Sequence, residues 1–324
     1  MTSKKALSPS PVLTIGIPSF NRSKQLLELL GSISKAIDST QHFNVEVIVV
    51  LDGSIDNSEL VIDGLIPDYP VSLLYEWQEN AGLATARNNL IKLANSPLVW
   101  LLDDDMIVNG DALECHITWN RDLAPILTGP CNLEGHQGLK DFYSNRWERL
   151  KNKQYIANPG DMSFANTSFP VKLLLKTPFD QGYKKYGFED YEVTIRLMKL
   201  GVKIGYEVKA GVVHLHEKDV WEMLQNNRDE GVNRVAFANV HPDHAEIALR
   251  LQHRKFRPVL IFLTNLRMHR FLWFSAKAFM HINRVFKLSA TSMLVSLSHE
   301  SAIHSGIALA GGKMCYKTSN SRKD

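Results

Sequence analysis

The chain reads as an α/β protein, a mostly parallel sheet flanked by helices and followed by a helical carboxyl-terminal extension. Two observations carry that reading. Over the first hundred residues, short unbroken apolar runs alternate with stretches of helical periodicity, and from Trp221 onward the strand signals fade while the helical ones continue. Strands covered on both faces have no solvent side, so they read as continuous apolar runs, which is the mark of a parallel sheet between helical layers.

Taken in order, Val12-Leu13-Thr14-Ile15-Gly16-Ile17 is the first predicted strand, ended by Pro18. Leu26, Leu30, Ile33 and Ile37 then recur at helical spacing behind Ser23, a residue type that caps helices. Val45 to Leu51 is the second strand, closed by the loop signal Asp52-Gly53-Ser54, and Val71 to Tyr75 is the third. Leu83 to Ala94 reads as a helix, and Pro97 opens a fourth apolar run, Leu98 to Leu102. Residues 103–216 are less regular and rich in turn residues such as Gly129-Pro130, Asn158-Pro159-Gly160 and Pro178. The expected divisions are a flexible segment 1–10, a main domain 11–216, a helical region 217–316 and a disordered tail 317–324.

With 324 residues, 44% of them hydrophobic and 22% charged, the chain suits one large globular domain with an appendage. Met1 to Pro11 is polar and lacks an apolar core, which predicts neither a secretory signal nor an amino-terminal anchor and points to the cytoplasm. Cys115, Cys131 and Cys315 are odd in number and widely spaced, as expected of reduced thiols and not of a zinc site. The net charge of +3 is uneven: residues 1–216 hold 21 Lys/Arg against 25 Asp/Glu, whereas residues 241–324 hold 13 against 4. A basic end on a mildly acidic body predicts an anionic partner or a solvated basic face. No nucleic-acid-binding motif accompanies it, so an RNA or DNA partner is not expected.

Asp103-Asp104-Asp105 follows directly on the fourth strand. Ligands gather at the carboxyl ends of strands in open parallel sheets, so three carboxylates there stand where a site is expected. Their mutual repulsion is relieved by a hard divalent cation such as Mg²⁺ or Mn²⁺, which also bridges a diphosphate; a solvated acidic turn is the alternative. Polar loops leave the other strands on the same edge: Ile17-Pro18-Ser19-Phe20-Asn21-Arg22, Val50-Leu51-Asp52-Gly53-Ser54, and Glu79-Asn80-Ala81-Gly82-Leu83-Ala84-Thr85-Ala86-Arg87-Asn88.

In that ordered set the sequence resembles the inverting family 2 glycosyltransferases of the GT-A fold, a Rossmann-like architecture. Their pattern is a P-x-(Y/F)-N-(R/E) loop, a D-G-S loop, an N-x-G-x-x-x-A-R-N helix start and a D-x-D strand end. The likeness continues through Phe179-Asp180, Gly187-Phe188-Glu189-Asp190-Tyr191-Glu192, Arg196 and a later V-x-H strand, and covers residues 12 to about 216. It implies a nucleotide-binding half, 11–105, and an acceptor half, 106–216. Carried onto this chain, it implies that Pro18, Ser19 and Arg22 line the nucleotide pocket and that Asp52 accepts hydrogen bonds from the base, with uracil the base expected. Gly82 would permit close backbone approach and Arg87 would contact the donor. Asp103 and Asp104 would face nucleotide and sugar, and Asp105 would hold Mn²⁺ or Mg²⁺ on the diphosphate. Leu51 departs from the family, many members of which have a second Asp there.

Glu189 and Asp190 precede an amphipathic stretch marked by Val193, Leu197 and Leu200, so both acids stand at a helix amino end, where charge stabilisation is the plain reading. Transfer with inversion needs one base for the acceptor hydroxyl, and the resemblance assigns that role to Asp190, with Glu189 bonded to a donor or acceptor hydroxyl. His214 and His216 share one face of an alternating run; His214 better matches the family's metal-side histidine, and a structural histidine is the alternative. Asn166 would support the acceptor or the donor sugar, or satisfy loop backbone.

In the carboxyl-terminal segment 256–298, Arg267, Arg270, Lys277, His281 and Arg284 fall near one helical face, and Phe271, Leu272, Trp273, Phe279, Ile282, Val285 and Phe286 fill much of the rest. No uncharged run is long enough to span a bilayer. An in-plane helix on an anionic inner membrane face and a helix packed on the domain or a partner subunit both fit that pattern. The resemblance thus implies transfer of a sugar from a nucleotide-sugar, a UDP-sugar, to a hydroxyl of a glycan or lipid-linked acceptor in polysaccharide or glycoconjugate synthesis. The alternatives are a sugar nucleotidyltransferase, which would want a Gly-rich phosphate loop after the first strand, and a binding protein with a decayed site.

Overall fold

The computed structural model describes residues 10–40, 43–119, 121–134, 146–183, 185–215, 220–245, 260, 262–264, 266, 268–286 and 291–310, with side chains left aside at 220–223, 280, 282–286 and 291–299. The contacts divide into two compact units, one of residues 1–184 and 189–216, the other of residues 185–188 and 217–324.

In the first unit β1 (Leu13–Ser19), α1 (Ser23–Ser39), β2 (Val45–Asp52), α2 (Ser58–Leu65), β3 (Ser72–Gln78), α3 (Leu83–Leu93) and β4 (Leu98–Leu102) alternate along the chain. They are followed by β5 (Met106–Ile107), α4 (Gly110–Thr118), β6 (Ile126–Thr128), β7 (Cys131–Glu134), β8 (Asn166–Pro170), α5 (Val171–Lys176), α6 (Glu189–Lys199), β9 (Ile204–Tyr206) and β10 (Val212–Leu215). The main sheet has the order β3-β2-β1-β4-β8-β6-β9, with β8 antiparallel to both neighbours and the other pairings parallel. A second sheet, β5-β10-β7, stands beside it.

The apolar residues of β2 follow a two-residue period. Val45, Val47, Val49 and Leu51 join the core with Leu26, Leu29 and Leu30 of α1, while Ile48 and Val50 join Ala86 and Leu90 of α3 on the other face. One charge is built into this strand: Glu46 is buried and accepts from Thr14 Oγ1 (2.5 Å), Asn95 N (2.8 Å) and Asn95 Nδ2 (3.0 Å).

Three boundaries differ from the sequence expectation. Pro18 does not end β1: the strand continues to Ser19, because the pairing with β4 stops at Gly16 and only β2 lies beside the chain at Pro18. Ser23 is the first helical residue of α1 and not its side-chain cap; its N–H donates instead to Asp56 Oδ2 (2.8 Å) in the loop after β2. β3 runs three residues past Tyr75 to Gln78, through polar positions that an edge strand tolerates because one side of it has no neighbour.

The second unit contains α7 (Val220–Val240), α8 (His269–Phe286) and α9 (Thr291–Leu309). Helices α7 and α9 cross at two glycines: a Cβ at Gly231 would lie 2.0 Å from Ile303 O, and one at Gly306 would lie 1.8 Å from Arg228 O. His304 is buried beside them, its Nδ1 2.7 Å from Thr264 Oγ1, and burial pushes its pKa down to about 3. The segment 185–188 is held in this unit by Asn233, whose Nδ2 donates to Lys185 O (2.9 Å) and Gly187 O (2.6 Å). On α8 the exposed side chains are Arg270, Phe271, Phe274, Lys277 and His281, while Leu272 and Ala276 are buried. Arginine and phenylalanine therefore share one face, where the sequence pattern had divided them. Arg267 lies outside the described residues, and Ile282, Arg284, Val285 and Phe286 are described by backbone alone. No helix among the described residues is long and apolar enough to cross a membrane.

Candidate active site

Strand order reverses at β1, which has β2 on one side and β4 on the other, the place where ligands gather in open parallel sheets, and the loops leaving β1 and β4 meet there at their carboxyl ends. Ser19 and Arg22 come from the first of those loops, and Asp103, Asp104 and Asp105 from the second.

Asp104 is buried and receives Ser19 Oγ at 2.8 Å and Arg22 Nη1 at 2.8 Å. Burial pushes its pKa up to about 6 against the opposing pull of Arg22, with Asp105 adding to the rise. The same Arg22 nitrogen lies 2.8 Å from Asp105 Oδ2, so a single N–H-bearing atom bridges both carboxylates. Burial would lower the Arg22 pKa, but Asp104 and Asp105 outweigh it and hold the pKa above its ordinary value. Ser19 is thus engaged inside the rim, and Pro18 is buried in the strand below it; of the three residues expected to line a nucleotide pocket, only Arg22 is partly open, at 29% side-chain exposure.

The small sheet brings the histidine in. β10 pairs antiparallel with β5, Leu215 N donates to Asp105 O (2.9 Å), and His214 Nε2 lies 3.2 Å from Asp105 Oδ1. His216 lies outside the described residues. A carboxylate oxygen beside an imidazole nitrogen is a donor pair that suits Mn²⁺ or Mg²⁺, provided a diphosphate and water complete the shell. Among the described residues no group of three or more His, Cys, Asp or Glu side chains forms a cage by itself. The fit is to a cation shared with a bound nucleotide.

At the end of β2, Asp52 is buried and already engaged: Oδ1 accepts from Gln78 Nε2 (2.6 Å) and Ala81 N (2.9 Å), and Oδ2 from Gly82 N (2.9 Å). Its carboxylate shapes the turn into α3, and Oδ2 keeps acceptor capacity. Gly82 is required for its backbone, with φ at 91°; a Cβ there would meet no protein atom within 4 Å. Asn21, also in the left-handed region at φ 52°, ties the first loop to the second, accepting from Ile55 N (2.8 Å) and donating its own N–H to Ser54 Oγ (3.0 Å).

Arg87, expected to contact the donor, is engaged by three carboxylates. It is 1% exposed, and its guanidinium reaches Asp103 (3.2 Å), Glu189 (3.2 Å) and Asp190 (2.5 Å), flanked by the rings of Phe164 and Phe179 at 5.8 and 5.4 Å. It joins the end of β4 to the start of α6. Burial first, then the Asp190 charge, push the Glu189 pKa up to about 8 against the pull of Arg87. Asp190 keeps 31% of its side chain exposed, whereas Glu189 keeps 6%. Phe188, the residue before Glu189, has φ at 78°, a conformation that bulky residues rarely adopt.

Asn166 satisfies backbone, one of the two roles the sequence left open. It is fully buried, accepting from Trp100 Nε1 (2.9 Å) and lying 2.9 Å from His116 Nε2, and it donates to Pro130 O (3.3 Å) and Ala210 O (2.8 Å). It fastens β8 to its neighbours. His116, stacked on Trp100 at 4.2 Å and pushed down to about 3 by burial, belongs to the same network. Asn88 was missed as a site support: it exchanges two 2.9 Å hydrogen bonds with the backbone of Phe179, which fixes one wall around Arg87. Its place next to Arg87 in the A-R-N run was the available signal.

Comparison with known proteins agrees with this fold. Residues 14–172 match the family described as Glycosyl transferase family 2. The chain is 24% identical over 272 residues to Glycosyltransferase GlyG of Streptococcus pneumoniae, covering 73% of this chain and 89% of that one. The S. aureus TarS 1-349 structure in complex with UDP shares the fold with a TM-score of 0.54 at 16% identity, covering 93% of this chain and 90% of that one. The mannosyltransferase PcManGT from Pyrobaculum calidifontis, in complex with GDP-Man and Mn²⁺, does so with 0.59 at 17% identity, covering 93% and 87%. The fold is GT-A, and through residues 14–172 the chain belongs to glycosyl transferase family 2.

Proposed function

We propose that this glycosyltransferase moves a sugar from a UDP-sugar to an acceptor hydroxyl with inversion, in polysaccharide or glycoconjugate synthesis. One observation carries the reading: a single buried guanidinium, that of Arg87, fastens both Asp103 at the end of β4 and Asp190 at the head of α6. Asp190, the more exposed of the two α6 acids, takes the proton of the acceptor hydroxyl as its oxygen attacks the anomeric carbon. The bond from that carbon to the diphosphate breaks, and the nucleoside diphosphate leaves. Asp105 and His214 would hold a Mn²⁺ or Mg²⁺ ion shared with the diphosphate; when bound, it stabilises the charge developing on the leaving group. Asp52, with an acceptor position left on Oδ2, would receive the base. The nucleotide and the ion are those named in the complexes of the two structural relatives, UDP in one and Mn²⁺ in the other.

A panel of nucleotide sugars, with and without Mn²⁺, tests this by hydrolysis and by thermal stabilisation. UDP-sugars should be hydrolysed in a Mn²⁺-dependent way, and Asp105→Ala should abolish both that hydrolysis and Mn²⁺-dependent UDP binding. Donor binding without hydrolysis or transfer would favour a decayed site, and undiminished activity of the variant would sink the metal assignment.

The setting we propose is the inner face of an anionic membrane, where a lipid-linked acceptor would be met. Residues 247–299 hold nine Lys/Arg and no Asp or Glu. On α8, Phe271 and Phe274 are 51% and 70% exposed beside Arg270 and Lys277. Aromatic rings at the acyl boundary with cations at the headgroups suit an in-plane helix, at about 1 kcal/mol per basic residue. The protein should sediment with anionic vesicles and not with neutral ones, and Arg270→Glu with Lys277→Glu should release it. Equal, negligible binding to both vesicles would end the membrane reading.

A further inference from the structure

Arg22 stands where a cation would otherwise act. Its Nη1 alone contacts both Asp104 Oδ1 and Asp105 Oδ2, each at 2.8 Å, while the opposite oxygen of Asp105 faces His214 at 3.2 Å. A divalent ion coordinated by Asp105 would lie close to this positive nitrogen and repel it, so the two cations compete for one carboxylate. The two sides of the competition are not fixed. Arg22 keeps 29% of its side chain exposed and comes from the loop after β1, whereas its acidic partners are 6% and 7% exposed and anchored at a strand end. Arginine can be drawn off a carboxylate by a phosphate pair, whose oxygens match its fork.

We propose that Arg22 is the resident counter-cation of the Asp104–Asp105 pair and yields it to the divalent ion only when a nucleoside diphosphate arrives to take the guanidinium. This inference rests on the metal-dependent reading above. Metal and nucleotide then bind cooperatively through one side chain, each strengthening the other by the same factor. The free protein would not load a cation ahead of its donor. Once the donor is bound, the same arginine would stand on the diphosphate that must leave.

Mn²⁺ titrations followed by electron paramagnetic resonance of the unbound ion test this on the full chain, with and without UDP and corrected for Mn²⁺–UDP in solution. Wild type should bind Mn²⁺ weakly alone and more tightly with UDP. Arg22→Gln should bind Mn²⁺ alone roughly 10-fold more tightly, and the gain on adding UDP should fall by the same factor, within the usual ~5–150-fold range of coupling. Arg22→Lys, which keeps the charge and loses the fork, should stay weak alone and also lose part of the UDP gain. Unchanged Mn²⁺ affinity of Arg22→Gln without UDP overturns the exchange while leaving the metal reading intact. Absence of Mn²⁺ binding by wild type even with UDP removes the metal reading itself, and the exchange with it. If Arg22→Gln is unstable alone, Mn²⁺ without nucleotide should raise its melting temperature more than that of wild type, and an equal rise would count against the exchange.

Discussion

Two arginines divide the candidate site between them, and they differ in how far water reaches them. Arg22 holds Asp104 and Asp105 with a side chain 29% exposed, whereas Arg87 holds Asp103, Glu189 and Asp190 with one 2% exposed. Arg22 can exchange partners, because water meets its released guanidinium and an arriving cation can take its place on Asp104 and Asp105, themselves only 6% and 7% exposed. A buried cluster cannot, since removing one member leaves desolvated charges without compensation. On the proposed reading, the rim that would meet the nucleotide is built to change, and the corner that would hold the base is built to stay fixed.

The largest effect should come from breaking the chemistry of the fixed corner while preserving its geometry. Asp190→Asn retains an oxygen for Arg87 Nη1 and loses basicity, so transfer should fall by roughly 10²–10⁴-fold, the usual range for a general base. UDP affinity should be unaltered. Steady-state kinetics beside UDP calorimetry would check both, and a variant retaining most of its rate would move the base to Glu189.

Stability should separate the two arginines next. Arg87→Met removes the common partner of three carboxylates and should destabilise the protein by about 3–5 kcal/mol, as loss of one member of a buried pair does. Arg22→Gln should cost less, because the side chain it replaces is 29% exposed against 2% for Arg87. Urea unfolding midpoints at equal m-values provide the comparison. Equal losses would mean that the rim is as rigid as the corner, which would also weaken the exchange proposed for Arg22.

Much of this arrangement was legible in the chain. The apolar runs identified the parallel strands, and the loop residues Asp52, Gly82 and Asp103–Asp105 fall on one sheet edge because parallel strands separated by helices all point the same way. Burial was not legible. Arg87 and Asn166 carry residue types that usually face solvent, and only the convergence of β4, β8 and α6 on them makes one a brace between carboxylates and the other a tie to backbone. The helical unit was the least legible part. Its close crossing depends on Gly231 and Gly306, residues whose ordinary signal is an interruption of a helix.

The smallest effect concerns Glu189, whose pKa in the folded protein is pushed up to about 8 by burial and the neighbouring Asp190 charge. The unfolded chain would ionise it near 4.3. Between those values the folded protein binds the proton more tightly, so stability falls as pH rises from about 4.3 to about 8, and below that window the residue costs nothing. Glu189→Gln keeps the oxygen that accepts from Arg87 and removes the titration. Its melting temperature should match wild type near pH 4 and exceed it near pH 8 by at least roughly 2–4 °C, the change that corresponds to about 1 kcal/mol in a domain of this size. The difference should shrink in the Asp190→Asn background, where one source of the upward shift is gone. A difference that did not grow with pH would mean that Arg87 keeps Glu189 ionised, and the fixed corner would then hold two full negative charges on the α6 acids, beside Asp103, under a single guanidinium.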